Sequence, residues 1–97
     1  MMKDNENLKE LIKKGLYQDN LECLIELCKG NLKEEPLTFF VLINIFERLA
    51  SEYENQAVPS NRYNEVNALA PLLISAIDKP SKKNVSNLIK AYLEVCK

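Results

Sequence analysis

Histidine is absent from this chain of 97 residues. Imidazole is the commonest general base near neutral pH and the commonest metal ligand. Its absence excludes Ser-His and Cys-His nucleophilic catalysis, together with most zinc sites. The sequence also has no phosphate-binding loop, dinucleotide fingerprint, HExxH motif, nucleophile elbow or EF-hand loop. We therefore predict that the protein is not an enzyme and uses no cofactor or metal.

Glycine is scarce, with two residues, and long apolar runs are missing. No stretch alternates Val, Ile or Thr with polar residues at a period of two, so the sequence predicts no strand. No apolar run is long enough to cross a bilayer, and the first ten residues are too polar for a secretory signal. We expect a cytoplasmic protein.

Cysteine occurs three times, an odd number, with no CxxC spacing. Cys23, Cys28 and Cys96 fall in apolar helical phases, so we expect small buried side chains with reduced thiols. A redox or metal role for them is the weaker interpretation.

The stretch from Leu37 to Tyr53 is the strongest structural signal. Its apolar residues recur at steps of three and four, which predicts one buried face of a long helix. The first two turns are apolar nearly all round because Phe40, Val41 and Ile45 join this face. A helix of that kind is covered on several sides, so we predict that it is central. The buried face consists of Phe39, Leu42, Ile43, Phe46, Leu49, Ala50 and Tyr53.

Two helices are predicted before this central one. The first begins near Asn5 as N-cap and ends at Gly15, with Leu16 folding back on Leu11 as in a Schellman ending. The second begins at Asp19, which reads with Glu22 as a capping box, and ends at Gly30. These ends are what the local residue types favour.

The second half of the chain predicts two further helices. The central helix starts at Pro36 and should end near Gln56, ahead of Pro59. We expect one helix from about 61 to 77, kinked at Pro71, because its apolar stripe keeps phase through the proline. Ser81 should cap the last helix. Its stripe is Val85, Leu88, Ile89, Tyr92, Leu93 and Cys96.

The predicted fold class is therefore all-α: a single small bundle of four to five antiparallel helices around a central helix, with residues 1–97 as one helical domain. A composition of 46% hydrophobic and 28% charged residues is typical of an ordinary soluble globular protein.

Charge is unevenly spread although the whole chain carries −1. Residues 34–78 contain seven acidic residues against two arginines, whereas residues 79–97 contain five lysines against Glu94. We predict a partner-binding acidic surface where Glu47, Glu52 and Glu54 lie near Glu65, because such a field steers a basic protein. Plain solvation of these carboxylates is the competing interpretation.

A second candidate is an anion-binding patch of Lys79, Lys82 and Lys83. Positive charge at the start of a helix opposes the helix dipole, and free N–H groups there suit an anion or a phosphate backbone. A solvated charge run is the simpler interpretation. A near-neutral chain also lacks the basic footprint of usual nucleic-acid binders, so nucleic acid is the second choice of partner.

The middle of the chain resembles the small helical immunity proteins that bacteria use against bacteriocins and other toxins. The resemblance is carried by Phe46, Leu49 and Ala50, by the connector Val58-Pro59-Ser60, and by the helix that follows, with Tyr63, Val66, Leu69 and Leu73. It implies a non-enzymatic antitoxin or immunity protein that binds a toxin or nuclease and covers its functional surface. It assigns no functional residue. The alternatives are a helical nucleic-acid-binding regulator, a phage-type inhibitor and a structural oligomer subunit.

Overall fold

The central helix of the fold, α3, runs from Pro36 to Glu54. The structure, a computed structural model, describes residues 2–55 and 63–95. Within these ranges it is helical and has no strand, so the all-α prediction is confirmed; the antiparallel arrangement stays a prediction. The other helices are α1 (Met2–Lys14), α2 (Gln18–Asn31), α4 (Tyr63–Asn67), α5 (Ala70–Asp78) and α6 (Lys82–Val95).

The predicted face of α3 is the buried one. Phe46 has no exposed surface, and α3 contacts α2, α5 and α6. Burial of large side chains such as Phe46 is the main stabilising contribution in a domain of this size. The remaining buried or half-buried members of the face are Phe39, Leu42, Ile43, Leu49, Ala50 and Tyr53.

The prediction that the first turns of α3 are covered on every side is wrong. Ile45 is buried and Val41 is half-buried, but Phe40 is 60% exposed and Leu37 is 58% exposed. The neighbouring helices leave this apolar edge of α3 uncovered, and it faces solvent.

Gly15 ends α1, as predicted, with a φ of 125° that L side chains rarely adopt. The Schellman ending is not formed, because the N–H of Leu16 donates to Asn67 Oδ1 at 2.7 Å instead of to α1. Asn5 is not the N-cap: α1 already begins at Met2. A cap-favouring residue is tolerated inside a helix when its neighbours are strong helix formers.

Helix α2 is capped two residues earlier than predicted and continues past Gly30. Tyr17 is its N-cap, and Asp19 lies inside its first turn, where a carboxylate favours the positive end of the helix dipole. Gly30 stays helical, and the helix ends at Asn31. The Asn31 side chain is buried and donates to the Leu27 carbonyl oxygen at 2.7 Å, which stabilises this last turn.

Pro71 does not kink one continuous helix. The chain is divided at Ala68 and Leu69, and Pro71 lies in the first turn of α5, where a proline loses no hydrogen bond. The N–H of Leu69 donates to the carbonyl oxygen of Val66 at 3.1 Å, the pattern of a tighter helical turn. That turn preserves the phase of the apolar stripe, which is why the sequence resembles one helix. The predicted start near Asn61 and the Val58-Pro59-Ser60 connector lie outside the described residues.

Ser81 caps α6 as predicted: its Oγ accepts from the N–H of Asn84 at 3.2 Å. Val85 and Leu88 are buried, but Ile89 and Leu93 are 38% and 58% exposed. Two of the five described residues of the predicted stripe therefore face solvent, while Tyr92 is half-buried against the core. Cys96 lies outside the described residues.

Candidate functional sites on the helix surfaces

Two of the predicted acidic residues of α3 share one face of the helix. Glu47 and Glu54 are exposed and lie seven residues apart, on the same face and about 10 Å apart along the axis. Glu52 points elsewhere, and its Oε1 accepts from Arg48 Nε at 3.3 Å. This ion pair reduces the negative field that Glu52 adds to the surface.

Glu65 is exposed on α4. Its helix contacts α3 through the rings of Tyr53 and Tyr63, whose centroids are 5.7 Å apart. Within residues 2–55 and 63–95, Glu65 does not line the groove that contains Glu54.

Glu54 lines a groove together with two acidic residues of α2. A groove of about 400 Å³ lies between the start of α2 and the end of α3. We call it the acidic groove; its lining is Gln18, Asp19, Leu21, Glu22, Ala50 and Glu54. The sequence interpretation missed Asp19 and Glu22 because it treated them as capping residues. The short connection between α2 and α3 was the available signal, since consecutive helices with short links pack against each other and bring the start of one near the end of the next.

A second groove, of about 650 Å³, lies between α1 and α2. Leu11 and Leu27 are half-buried in it, and the exposed thiol of Cys23 lies beside them. The prediction that Cys23 is buried is therefore wrong. We call this the α1–α2 groove; its lining is Asn7, Glu10, Leu11, Lys14, Glu22, Cys23, Glu26 and Leu27.

The carboxylates of the α1–α2 groove are weakly neutralised. Glu10 Oε1 lies 3.7 Å from Lys13 Nζ, and both side chains are more than half exposed, so this ion pair contributes little. Among the described residues, Glu22 and Glu26 form no ion pair. Glu22 lines both grooves, so the acidic surface continues across α2.

The three lysines of the predicted anion patch are exposed at the corner between α5 and α6. Asn84 Nδ2 donates to the carbonyl oxygen of Lys79 at 2.9 Å, which ties this corner together. Acidic groups lie beside it: Asp78 precedes Lys79, and Asp78 Oδ1 accepts from Lys9 Nζ at 2.6 Å. The hydrogen bond from Lys9 to Asp78 raises the pKa of Lys9, and the hydrogen bond from Lys9 to Glu6 raises it further. The corner is therefore mixed in charge.

A third groove, of about 340 Å³, separates α3 from α6. Exposed Phe40 and Ile89 line it, with Arg48 at its edge. The apolar edges of α3 and α6 thus form one surface.

Cys28 and the metal-ligating residue types complete the description of the side-chain chemistry. Burial raises the pKa of the Cys28 thiol to about 12, so it is a poor nucleophile at neutral pH. In the part of the chain that the structure describes, no three His, Cys, Asp or Glu side chains form a group that could hold a metal ion.

Comparison with protein-family models, curated proteins and solved structures gives no match. The resemblance to immunity proteins therefore stays a prediction. None of the helices in residues 2–55 and 63–95 is long and apolar enough to span a membrane.

Proposed function

We propose that the protein is a binding protein of the immunity or antitoxin type, which neutralises a basic protein, such as a toxin or nuclease, by direct contact. The observation that carries the proposal is the meeting of Asp19, Glu22 and Glu54 at one open groove. It supports an acidic contact surface centred on α2 and the end of α3. Glu47 lies on the same face of α3 as Glu54, two helical turns before it.

The physical argument is complementarity of charge. Proteins that act on nucleic acids present basic surfaces to the phosphate backbone. Carboxylates that converge on one face attract such a surface at long range and raise the association rate. The net charge of the chain is −1, so Lys and Arg residues elsewhere balance the carboxylates of the proposed surface.

The proposal is tested with the products of the adjacent genes. Each is expressed in a sensitive host with and without this chain, and growth rescue identifies the partner. The association rate of the purified pair is then measured at low and near-physiological salt. Asp19→Lys with Glu54→Lys should slow association by about tenfold or more at low salt.

The matched control is Glu34→Lys with Glu35→Lys, which changes the net charge equally at the connection between α2 and α3. This control pair should leave most of the association rate with the partner unchanged. Equal slowing by both pairs, or a rate that does not depend on salt, would contradict a localised acidic surface.

A nucleic-acid-binding regulator is the second candidate, favoured by the exposure of Lys79, Lys82 and Lys83. It would bind nonspecific duplex DNA, and the logarithm of its affinity would fall linearly with the logarithm of the salt concentration. Reversing the three lysines to Glu would abolish that binding. A structural oligomer subunit is the third candidate, favoured by the exposed Phe40, Ile89 and Leu93. Sedimentation of wild type and Phe40→Ser at several concentrations distinguishes it.

A further inference from the structure

We propose that the α1–α2 groove binds a basic amphipathic helix of the partner protein. This inference rests on the proposed function for the existence of a protein partner, and it names the element of that partner which makes the contact. Helix-in-groove binding needs an apolar floor for one face of the ligand helix and complementary charge at the rims.

The shape of the groove suits a helix. On α1, its lining residues Asn7, Glu10, Leu11 and Lys14 follow helical spacing over two turns, about 10 Å along the axis. Leu11 and Leu27 are half-buried and belong to the edge of the core, so the floor is apolar and firmly held. Two apolar side chains at i and i+4 of a docked helix span about 6 Å and fit within this length.

The charge of the groove specifies a basic ligand. Glu10 stands on the α1 side, and Glu22 and Glu26 stand on the α2 side, so a docked helix has carboxylates along both edges. Lys14 is the opposing charge in the lining. Lysines or arginines that flank the apolar face of the ligand would reach these carboxylates and add charge-assisted hydrogen bonds.

The same charges argue against a second copy of this chain as the occupant. Two copies joined through this groove would bring the carboxylates of one copy, Glu10, Glu22 and Glu26, near those of the other, and like charges at an interface are costly. An enclosed site for a small apolar molecule would lack charged rims of this kind.

The probe is a helix-forming peptide of about 15 residues, with leucines along one face and lysines beside them. One control peptide has the same composition with the leucines dispersed around the helix. Another has the lysines replaced by glutamates. Binding to the whole chain is measured by calorimetry, and the contact surface is mapped by amide shift changes in NMR.

Two variants test the groove without disturbing the core. Cys23→Phe fills the groove and leaves the charge unchanged, and the exposure of Cys23 allows the larger side chain. Glu10→Lys with Glu26→Lys reverses one carboxylate on each rim. Glu34→Lys with Glu35→Lys is again the control of equal charge. The melting temperature of each variant establishes that it is folded.

We expect the amide chemical shifts of residues 7–14 and 22–27 to change when the basic amphipathic peptide binds. Both groove variants should lose affinity for this peptide by about tenfold or more. Equal binding of either control peptide, or undiminished binding by folded Cys23→Phe, would overturn the inference. The proposed function is tested independently of the peptide, by the association rate of the partner protein. A partner whose association slows with Asp19→Lys and Glu54→Lys keeps that function even if the peptide does not bind, and peptide binding stands even if no toxin is found.

Discussion

The hydroxyl of Tyr53 donates a 2.6 Å hydrogen bond to the carbonyl oxygen of Leu16. The bond joins the end of α3 to the link between α1 and α2, and both residues are buried. Asn67 Oδ1 accepts from the N–H of Leu16, so α4 reaches the same residue. The start of α2, with the acidic groove, is therefore positioned by contacts from α3 and α4.

Removing the Tyr53 hydroxyl should destabilise the contact between the end of α3 and the link between α1 and α2. We expect Tyr53→Phe to reduce the free energy of unfolding by about 1 to 2 kcal/mol, because the Leu16 carbonyl oxygen loses a buried donor. Urea denaturation provides the measurement. Tyr17→Phe is the control, since Tyr17 is 44% exposed, and it should change stability by less than about 0.5 kcal/mol. Equal effects of the two variants would contradict the assigned role of the bond.

The two glycines should respond to alanine in opposite directions. At Gly15 a Cβ would overlap the Tyr17 ring, and its φ of 125° strains an L residue, so Gly15→Ala should destabilise by more than about 1 kcal/mol. Gly30 is helical and has open space around it. Gly30→Ala should stabilise by about 0.5 to 1 kcal/mol through helix propensity. Melting curves measure both, and a stable Gly15→Ala would show that the link adopts another conformation.

The two phenylalanines of α3 separate the buried face from the exposed one. Phe46→Ala should reduce the free energy of unfolding by about 3 to 5 kcal/mol, because the side chain is fully buried and leaves a cavity. Phe40→Ala should change it by less than about 0.5 kcal/mol, because Phe40 is 60% exposed. Chemical denaturation tests both. Comparable losses would mean that the Phe40 side of α3 is covered in solution.

Cys28 should make stability depend on alkaline pH. Its pKa is about 12 in the folded protein against 9.0 for an unperturbed thiol, so the unfolded chain loses the proton first. Stability should be level below pH 9 and fall as the pH rises from 9.0 towards 12, by up to about 1 kcal/mol per pH unit. Urea denaturation across this window should show a shallower decline for Cys28→Ala than for wild type. Cys23→Ala should keep the wild-type slope; an unchanged slope in Cys28→Ala would show that its thiol is solvated.

Helix ends were harder to predict than helix faces, for a physical reason. At Gly15 the local residue alone decides, because a positive φ suits glycine. At Asn5 and Gly30 the local signal was overridden, since neighbouring helix formers and the packing of α2 continue the helix through a cap-favouring residue or a glycine. At Ala68 and Leu69 a tighter turn preserved the apolar phase, so no periodic signal marked the break.

The all-helical class and the buried face of α3 follow from the order of the amino acids alone, because helical periodicity is a property of consecutive residues. Tertiary structure decided which charges and apolar edges meet. Asp19 and Glu54 are 35 positions apart, and the packing of α2 against α3 places them at one groove. Ile89 and Leu93 belong to a regular stripe, yet they stay exposed because the packed helices cover the other side of α6. Amphipathic spacing shows that a face can be buried; the position of neighbouring helices decides whether it is.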